Sequence, residues 1–439
     1  MPTFANPLAI DPASFGTFPP AGNATGGAVV PVILYAGNLY QVLAPNAATG
    51  NFEVWKSTDS GINWISLDSA NAPTFPAGQA AFDGTSQIAV IFYDLTGAGV
   101  QSFLQIFDLA TETWGAVIAG GPIGPLGGRG VIALGMRSDG SIIFIYQNPG
   151  VGHAYLYGSY NGAWNYPIGN LDQNFAGGLG LSAMNQPIGV VDSSDIFHVV
   201  WGGIEGVQSY GYYQAIDSLD ALGAFKRFPN TDTESFPLKT NIIGRPVVLG
   251  SNLFIPFTFA GNPADSTTFF AGGYIGTPVA APVWTQVSPI DPGFPADSTR
   301  NPNFPPVATS DGTTVSVLFI CQTSDSVYPS GRIVLLESTD LITWTATTIF
   351  DVENDLGFLV GGVQTITDPI LTASAGVTIA AKDPTNTYTL RFFLPVNTIG
   401  GPNARLDAVS FPVISFPRLQ YLDSAGAKRD CFPLRKRGC

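Results

Sequence analysis

The chain is 439 residues long and carries a formal net charge of −14, with 45% hydrophobic residues, 51 glycines, 35 prolines and only 11% charged residues. Ample apolar residues and many turn formers are typical of a large all-β protein, and no stretch has the 3.6-residue period that amphipathic surface helices need. An acidic body disfavours nonspecific binding to nucleic acid or anionic membranes, because neutralising phosphate groups needs clustered cations.

The chain opens with a proline-rich segment, residues 1–27, which predicts an extended N-terminal arm. The arm lacks the basic start and apolar core of a secretory signal. No later window has the roughly 18 consecutive apolar residues of a membrane-spanning helix. We therefore expect a soluble protein without membrane insertion. Either this arm or residues 408–415 would add the strand that closes the fold.

Seven short apolar runs recur along residues 28–424, each after a Gly, Asn, Asp or Ser turn. Their first residues lie 49, 54, 54, 57, 62 and 62 positions apart. Each run has five to seven residues, too few for a helix, and most are rich in β-branched and aromatic types, so each predicts a buried strand. The runs are 39–43, 88–93, 142–146, 196–201, 253–259, 315–320 and 377–381.

Other short strands flank each run. In four repeats a proline opens the preceding stretch, and proline suits the first residue of a strand because it has no N–H to donate. Four strands per repeat and seven repeats of this length predict one all-β domain over 28–424, a seven-bladed β-propeller of four-stranded antiparallel blades. An open β-solenoid or two stacked sandwiches fit less well, since solenoid repeats are usually shorter. Large rings mark the predicted fourth strands: Trp64, Trp114, Trp164, Phe225, Trp284 and Trp344.

One turn of the first repeat has a recognisable pattern. Residues 57–64 read Ser-Thr-Asp-Ser-Gly-Ile-Asn-Trp. In that string Ser57, Asp59, Gly61 and Trp64 resemble the Asp-box of sialidase-like β-propellers. Ser and Asp side chains bond to nearby backbone amides, glycine permits a positive φ, and the tryptophan packs below. The resemblance implies a structural turn between the third and fourth strands, away from the catalytic face, so it supports a fold and not an activity.

Two weaker relatives of this turn occur later in the chain. Residues 338–344 read Ser-Thr-Asp-Leu-Ile-Thr-Trp, one residue shorter and without the glycine, and residues 108–114 are more degenerate. Both fall where a third strand should turn into a fourth. The repeat architecture therefore extends the resemblance loosely over most of the chain.

A sialidase-like activity, by the same resemblance, implies three arginines around a carboxylate, a Tyr–Glu pair and an acidic acid/base group. The first of those arginines should lie in an Arg-Ile-Pro-like motif of the first blade, but the first arginine of this chain is Arg129, in the third repeat. The nearest string is Arg245-Pro246, which opens the fifth. Arg245, Arg300 and Arg332 are candidates to meet over the central channel, with surface or blade-linking roles as the simpler interpretation. No catalytic residue is assigned, so the sequence favours a protein without enzymatic activity over an enzyme.

Other chemistry has little support in the sequence. The two histidines, His153 and His198, lie in or beside apolar strands, so a Ser-His-Asp triad or a multi-histidine metal site is hard to build. No cofactor motif occurs, and a weak Ca²⁺ site among Asp-bearing loops is the one cofactor kept open. Tyr210, Tyr212 and Tyr213 are candidates to stack on sugars, although aromatics at strand spacing are more often core residues.

Residues 425–439 predict a basic C-terminal tail. Five cations against Asp430 give it a net charge of +4, which leaves about −18 on the rest of the chain. An oxidised loop, an intermolecular disulfide and a disordered basic end all remain open. The functional interpretation is an anchor that docks an acidic partner. The candidate anchor residues are Lys428, Arg429, Cys431, Arg435, Lys436, Arg437 and Cys439.

Two functions follow from these features. The first is a non-enzymatic propeller on a virion, such as a phage structural protein, or outside a cell. It would serve as a structural and receptor-binding module, with glycans as candidate ligands and other virion or surface proteins held through the tail. The alternative is a sialidase-like or other carbohydrate-active glycoside hydrolase, its site on the face bearing the loops that enter each inner strand. An intracellular protein-interaction propeller fits less well, because no Trp-Asp or Gly-His repeat occurs.

Overall fold

The fold was analysed in a computed structural model of the chain. It describes residues 33–43, 53–58, 65–69, 78–94, 100–121, 123–124, 131–147, 155–171, 187–205, 208–228, 238–262, 265–277, 283–290, 306–310, 312–322, 331–351, 378–379, 387–391, 394–396, 404–407, 410–412, 419–422 and 428–431.

The first half of the described chain folds into successive antiparallel sheets. Sheet I contains β1 Ile33–Tyr35, β2 Asn38–Leu43, β3 Glu53–Ser57 and β4 Ile65–Ser69. Sheet II contains β5 Gly78–Phe82, β6 Gln87–Asp94, β7 Val100–Asp108, β8 Thr113–Trp114 and β9 Ile123–Gly124. Sheet III contains β10 Val131–Met136, β11 Ile142–Gln147, β12 Tyr155–Tyr160 and β13 Trp164–Asn170. Sheet IV contains β14 Ile188–Val191, β15 Phe197–Glu205, β16 Gln208–Ile216 and β17 Lys226–Phe228.

The second half continues in the same way. Strand β18, Leu238–Ile243, pairs with both β16 and the second strand of the next sheet, so it joins two sheets into one of nine strands. Sheet V contains β19 Val247–Leu249, β20 Asn252–Asn262, β21 Asp265–Gly276 and β22 Trp284–Ile290. Sheet VI contains β23 Val307–Ser310, β24 Val315–Gln322, β25 Gly331–Ser338 and β26 Thr345–Asp351.

The last strands pair out of sequence order. They are β27 Thr378–Ile379, β28 Thr387–Arg391, β29 Leu394–Val396, β30 Ala404–Asp407, β31 Ser410–Pro412, β32 Leu419–Leu422 and β33 Lys428–Cys431. Sheet VII has the order β27-β28-β31, and sheet VIII the order β29-β30-β32-β33. The described residues contain no helix, and hence none long and apolar enough to cross a membrane.

The apolar core lies between successive sheets, because alternate side chains of a strand point to opposite faces. In β6, Ile88, Val90 and Phe92 pack in the cluster shared with sheet I, while Ala89 and Ile91 pack in the cluster shared with sheet III. Similar clusters lie between sheets III and IV, IV and V, and V and VI. Burial of both faces explains why the second strands read as continuous apolar runs.

The first strands of successive sheets also lie side by side. Strand β5 contacts β10, and β10 contacts β14; further along, β19 contacts β23, and β23 contacts β27. Face-to-face sheets whose first strands form a common inner row are typical of β-propeller blades.

The strand predictions agree with this architecture. The seven apolar runs fall in β2, β6, β11, β15, β20, β24 and β27, and the first six are second strands of their sheets. The chain is all-β with several four-stranded antiparallel sheets, as predicted, whereas the count of seven blades stays a prediction. Within residues 408–415, Ser410–Pro412 pairs with β28. Residues 1–27 lie outside the described residues.

Candidate functional site

The sheets have two chemically different edges. The turn edge carries the tight hairpins between first and second strands and between third and fourth strands, such as residues 83–86 and 109–112. The connection edge carries the links from second to third strands and from one sheet to the next, such as residues 44–52 and 291–306. Residues 44–52 and 291–305 lie outside the described residues, and the side-chain contacts that the structure describes belong to the turn edge and the sheets.

Carboxylates at the turn edge hold the hairpins together. Asp83 accepts hydrogen bonds from the backbone N–H groups of Thr85, Ser86 and Gln87 at 2.7–3.0 Å. Asp217 accepts from Leu219 and Ala221 in the same manner. Such Asx turns satisfy backbone groups locally. In the Asp83-Gly84 and Asp139-Gly140 hairpins both glycines take a positive φ near 80°, which suits a tight turn.

The turn at 338–344 has the hydrogen bonds expected of its sequence pattern. Asp340 accepts from the backbone N–H groups of Ile342 and Thr343 at 2.8 and 2.7 Å, and these bonds lower its pKa to about 2. Ser338 Oγ accepts from the N–H of Leu341, and Leu341 takes a φ of +63° without help from glycine. The turn joins β25 to β26, a third strand to a fourth.

The full Asp-box pattern of the first repeat, residues 57–64, lies mostly outside the described residues. Asp59, Gly61 and Trp64 lie outside the described residues, and Ser57 ends β3. The Asp-box assignment therefore stays a prediction, although the 338–344 turn forms by the chemistry proposed for it.

A buried polar network joins three residues of sheet IV. His198 lies 2.8 Å from Tyr213 Oη through Nδ1 and 3.1 Å from Asp192 Oδ2 through Nε2. An ionised carboxylate only accepts, so Nε2 donates to Asp192, and in the neutral ring Nδ1 accepts from the tyrosine hydroxyl. The imidazole is fully buried, and Asp192 also caps the β14–β15 hairpin. Both ring nitrogens of His198 are therefore hydrogen-bonded inside the sheet.

Acid should weaken this network. Burial raises the pKa of Asp192, but bonds from His198 and from the N–H groups of Ile196 and Ser194 outweigh it and lower the pKa overall. A depressed carboxyl pKa adds stability above the unfolded-state value, near 4, and that stability is lost as pH falls through the folded-state value. Urea unfolding between pH 5 and 3 should therefore be less pH-dependent in Asp192→Asn than in the parent.

The control is Asp83→Asn, which alters the equivalent hairpin of sheet II, where no histidine bonds to the carboxylate. An Asp192→Asn protein whose stability falls with acid as steeply as the parent's would contradict the assignment.

The tyrosines proposed as a sugar-stacking surface lie in the core. Tyr210 is 6% exposed, and Tyr212 and Tyr213 are fully buried. Tyr212 stacks on Trp201, and Tyr213 meets Trp284 edge to face with ring centroids 4.7 Å apart. A sugar ring could reach these tyrosines only if the sheets separated, so the packing assigns them to the interior of sheet IV.

Two arginines of the described sheets differ in their surroundings. Arg137, which the sequence did not single out, donates from Nε to the Asp195 carbonyl and from Nη2 to that of Asp217, and pairs with Asp220 at 2.8 Å. Its only sequence signal is the Arg-Ser-Asp-Gly hairpin in which it lies. Arg245, by contrast, has no hydrogen-bond or ion-pair partner among the described residues.

The side chains of the other two arginines proposed for the channel, Arg300 and Arg332, are not among those that the structure describes. Arg332 lies in β25, opposite Cys321 and Asp351, and Arg300 lies outside the described residues. The meeting of the three candidate arginines therefore stays a prediction, because of the three only Arg245 has a described side-chain environment.

The predicted tail is partly ordered into a sheet. Lys428–Cys431 forms β33, which pairs with β32 at the border of sheet VIII. Residues 435–439 lie outside the described residues, so the anchor stays a prediction. Among the described residues no group of three or more His, Cys, Asp or Glu is placed to hold a metal ion.

No protein-family model matches the chain, and no curated protein matches it. Solved structures do match. An ulvan lyase, described as a new polysaccharide lyase family, is 8% identical over 91% of this chain and 93% of that chain, with a TM-score of 0.50. An α-L-arabinofuranosidase from Fusarium graminearum is 10% identical over 88% and 92%, with a TM-score of 0.42.

A further match is the β-propeller domain of a protease from Pyrococcus furiosus, 8% identical over 82% of this chain and 98% of that domain, with a TM-score of 0.38. At these identities the ulvan lyase supports a similarity of fold alone, and the two lower scores support no further argument. The sialidase resemblance of the first repeat stays a prediction. The chain is thus similar in fold to a carbohydrate-active enzyme.

Proposed function

We propose that this chain is a seven-bladed β-propeller that acts on carbohydrate, with its ligand site on the connection edge. The contrast between the two edges carries the proposal. At the turn edge, carboxylates such as Asp83 and Asp217 bond to the backbone of their own tight hairpins, whereas the chain passes from one sheet to the next at the connection edge. Loops mounted on a rigid scaffold are where binding residues concentrate.

Carbohydrate is favoured over other ligands by two observations. The chain shares its fold with an ulvan lyase, a polysaccharide-cleaving enzyme, although similarity of fold is only an analogy for function. The chain also has few charged residues and abundant Gly, Ser, Thr, Asn and Asp. Short polar side chains and backbone groups suit hydroxyl-rich ligands, which are recognised by many neutral hydrogen bonds.

A panel of neutral and acidic polysaccharides tests the proposal. We expect at least one to be bound and to be cleaved. Reducing ends without an unsaturated product would indicate hydrolysis, and a new ultraviolet-absorbing unsaturated uronate would indicate elimination. A protein heated past unfolding is the control. Neither binding nor cleavage of any polysaccharide, at high concentration of folded protein, would refute the proposal.

A second candidate is the non-enzymatic receptor-binding module of a virion or cell surface, attached through the basic tail. The net charge of +4 on residues 425–439, against about −18 on the rest of the chain, favours it, because such a tail suits docking to an acidic partner. In the same panel, binding without any cleavage would favour this module over the enzyme.

A further inference from the structure

Most exposed large apolar side chains of the described residues lie at one position in their sheets, the turn between third and fourth strands. Leu219 and Ile342 lie in such turns, Val283 directly precedes β22, and Ile65 begins β4. A fifth, Val117, follows β8 of sheet II. Single exposed aliphatic residues are ordinary. Their recurrence at the same turn, however, indicates that the turn edge makes apolar contacts with a partner.

Leu219 is the most exposed of these residues, and its turn is rigid. The side chain is 87% exposed, while the Leu219 N–H donates to Asp217 Oδ1 at 2.9 Å. Asp217 also accepts from the N–H of Ala221. Arg137 of sheet III donates to the Asp217 carbonyl and pairs with Asp220. The leucine therefore sits in solvent on an ordered turn, and an ordered group loses little conformational entropy when a partner binds.

Carboxylates are concentrated in the hairpins that meet at Arg137. Its own hairpin bonds to the Asp195 carbonyl of the β14–β15 hairpin and to the β16–β17 hairpin that holds Leu219. Together these hairpins contain five aspartates and one cation, Arg137. Lys226 and Arg227, the next cations along the chain, each lie over an aromatic ring of sheet IV. We call these three hairpins the Leu219 surface: residues 137–141, 192–196 and 217–225.

A partner that fits the Leu219 surface has apolar side chains next to cations. Two copies of the surface would repel each other, because both are negative. Residues 432–439 read Phe-Pro-Leu-Arg-Lys-Arg-Gly-Cys, with two large apolar residues ahead of three consecutive cations. This segment follows β33, the border strand of sheet VIII, and its own structure lies outside the described residues. Its composition complements the Leu219 surface in both apolar character and charge.

We propose that the Leu219 surface binds residues 432–439 of a second copy of this chain. Sheets V and VI lie between sheet IV and the last strands along the chain. Eight residues span at most about 29 Å, so a second copy offers the segment more readily than the same chain does. A contact between two different surfaces links copies head to tail. The inference is independent of the carbohydrate site, which we place on the connection edge.

Sedimentation velocity of the full chain, in reducing buffer so that Cys431 and Cys439 form no disulfide, tests the inference. We expect reversible self-association that weakens between about 0.05 M and about 0.5 M salt, because salt screens exposed charges. Leu219→Ser should weaken the association about tenfold, the usual effect of leaving one leucine unburied. Combining Arg435→Glu, Lys436→Glu and Arg437→Glu should weaken it at least as much.

Ile342→Ser is the matched control. Ile342 is 77% exposed in the equivalent turn of sheet VI, where Asp340 is the only charged residue between β25 and β26. This variant should associate like the parent. Leu219→Ser and Ile342→Ser should both keep the parent's melting temperature, because neither side chain packs in the core.

Four results would overturn the proposal. A parent that stays monomeric up to its solubility limit shows that copies do not bind each other. Unchanged association of Leu219→Ser removes the Leu219 surface as the site, and so does an equal loss in Ile342→Ser. Association that survives the three glutamates but not Leu219→Ser assigns the surface to another part of the second copy. None of these results bears on saccharide binding, so the proposed function is judged separately.

Discussion

Replacing Arg137 with methionine is expected to lower the free energy of unfolding by about 3–5 kcal/mol, the usual cost of breaking a buried ion pair by removing one partner. The guanidinium links the β10–β11 hairpin of sheet III to both hairpins of sheet IV, through the Asp195 and Asp217 carbonyls and the Asp220 carboxylate. Removing it takes one donor from each of these groups, although the Asp217 carbonyl still accepts from the Asp220 N–H and Asp220 Oδ2 from Ser159. Urea unfolding, followed by tryptophan fluorescence, measures the loss.

Ser138→Ala is the matched control in the same hairpin. Its exposed hydroxyl donates to Asp195 Oδ2, so its loss should cost no more than about 1 kcal/mol. An Arg137→Met protein as stable as Ser138→Ala would contradict the view that this arginine locks sheet III to sheet IV.

Truncating Phe197 to alanine should cost about 3–5 kcal/mol, as for other buried phenylalanines. The ring is fully buried and covers two glycines, Gly135 of β10 and Gly189 of β14. A Cβ on Gly135 would lie 2.8 Å from Phe197 Cδ2 and 2.6 Å from Val191 Cγ2, so Gly135→Ala should itself destabilise by about 1–3 kcal/mol through overpacking.

The two changes should not add. Removing the Phe197 ring relieves part of the collision at Gly135, so a double-mutant cycle should show coupling above about 0.5 kcal/mol. Phe107→Ala, a buried ring of sheet II between other strands, should combine additively with Gly135→Ala. If the free-energy changes of Gly135→Ala and Phe197→Ala also add, sheets III and IV do not pack against each other at these residues.

The strand pattern could be predicted because it depends on local chemistry. The run 88–93 is apolar at every position since both faces of β6 are buried, and Asp83-Gly84 forms a hairpin by its own side chain and glycine φ. Pro187, Pro246 and Pro306 directly precede β14, β19 and β23, because proline suits the start of a strand. None of these features needs knowledge of a distant residue.

The contacts between sheets could not be predicted, because they join residues far apart in sequence. Arg137 bonds to residues 58 and 80 positions away, and nothing near it in the sequence names those partners. The spacing of Tyr210, Tyr212 and Tyr213 favours a core position but also fits an exposed stack, and the contacts with neighbouring sheets place them in the core. The pairing of β18 with both β16 and β20 depends on strand register, which sequence alone does not give.

An experimental structure of the full chain with a bound oligosaccharide tests the central claim most directly. The account predicts seven four-stranded blades in a ring and the sugar bound on the connection edge. A ring of six or eight blades, or a saccharide held among the hairpins of the turn edge, would contradict it.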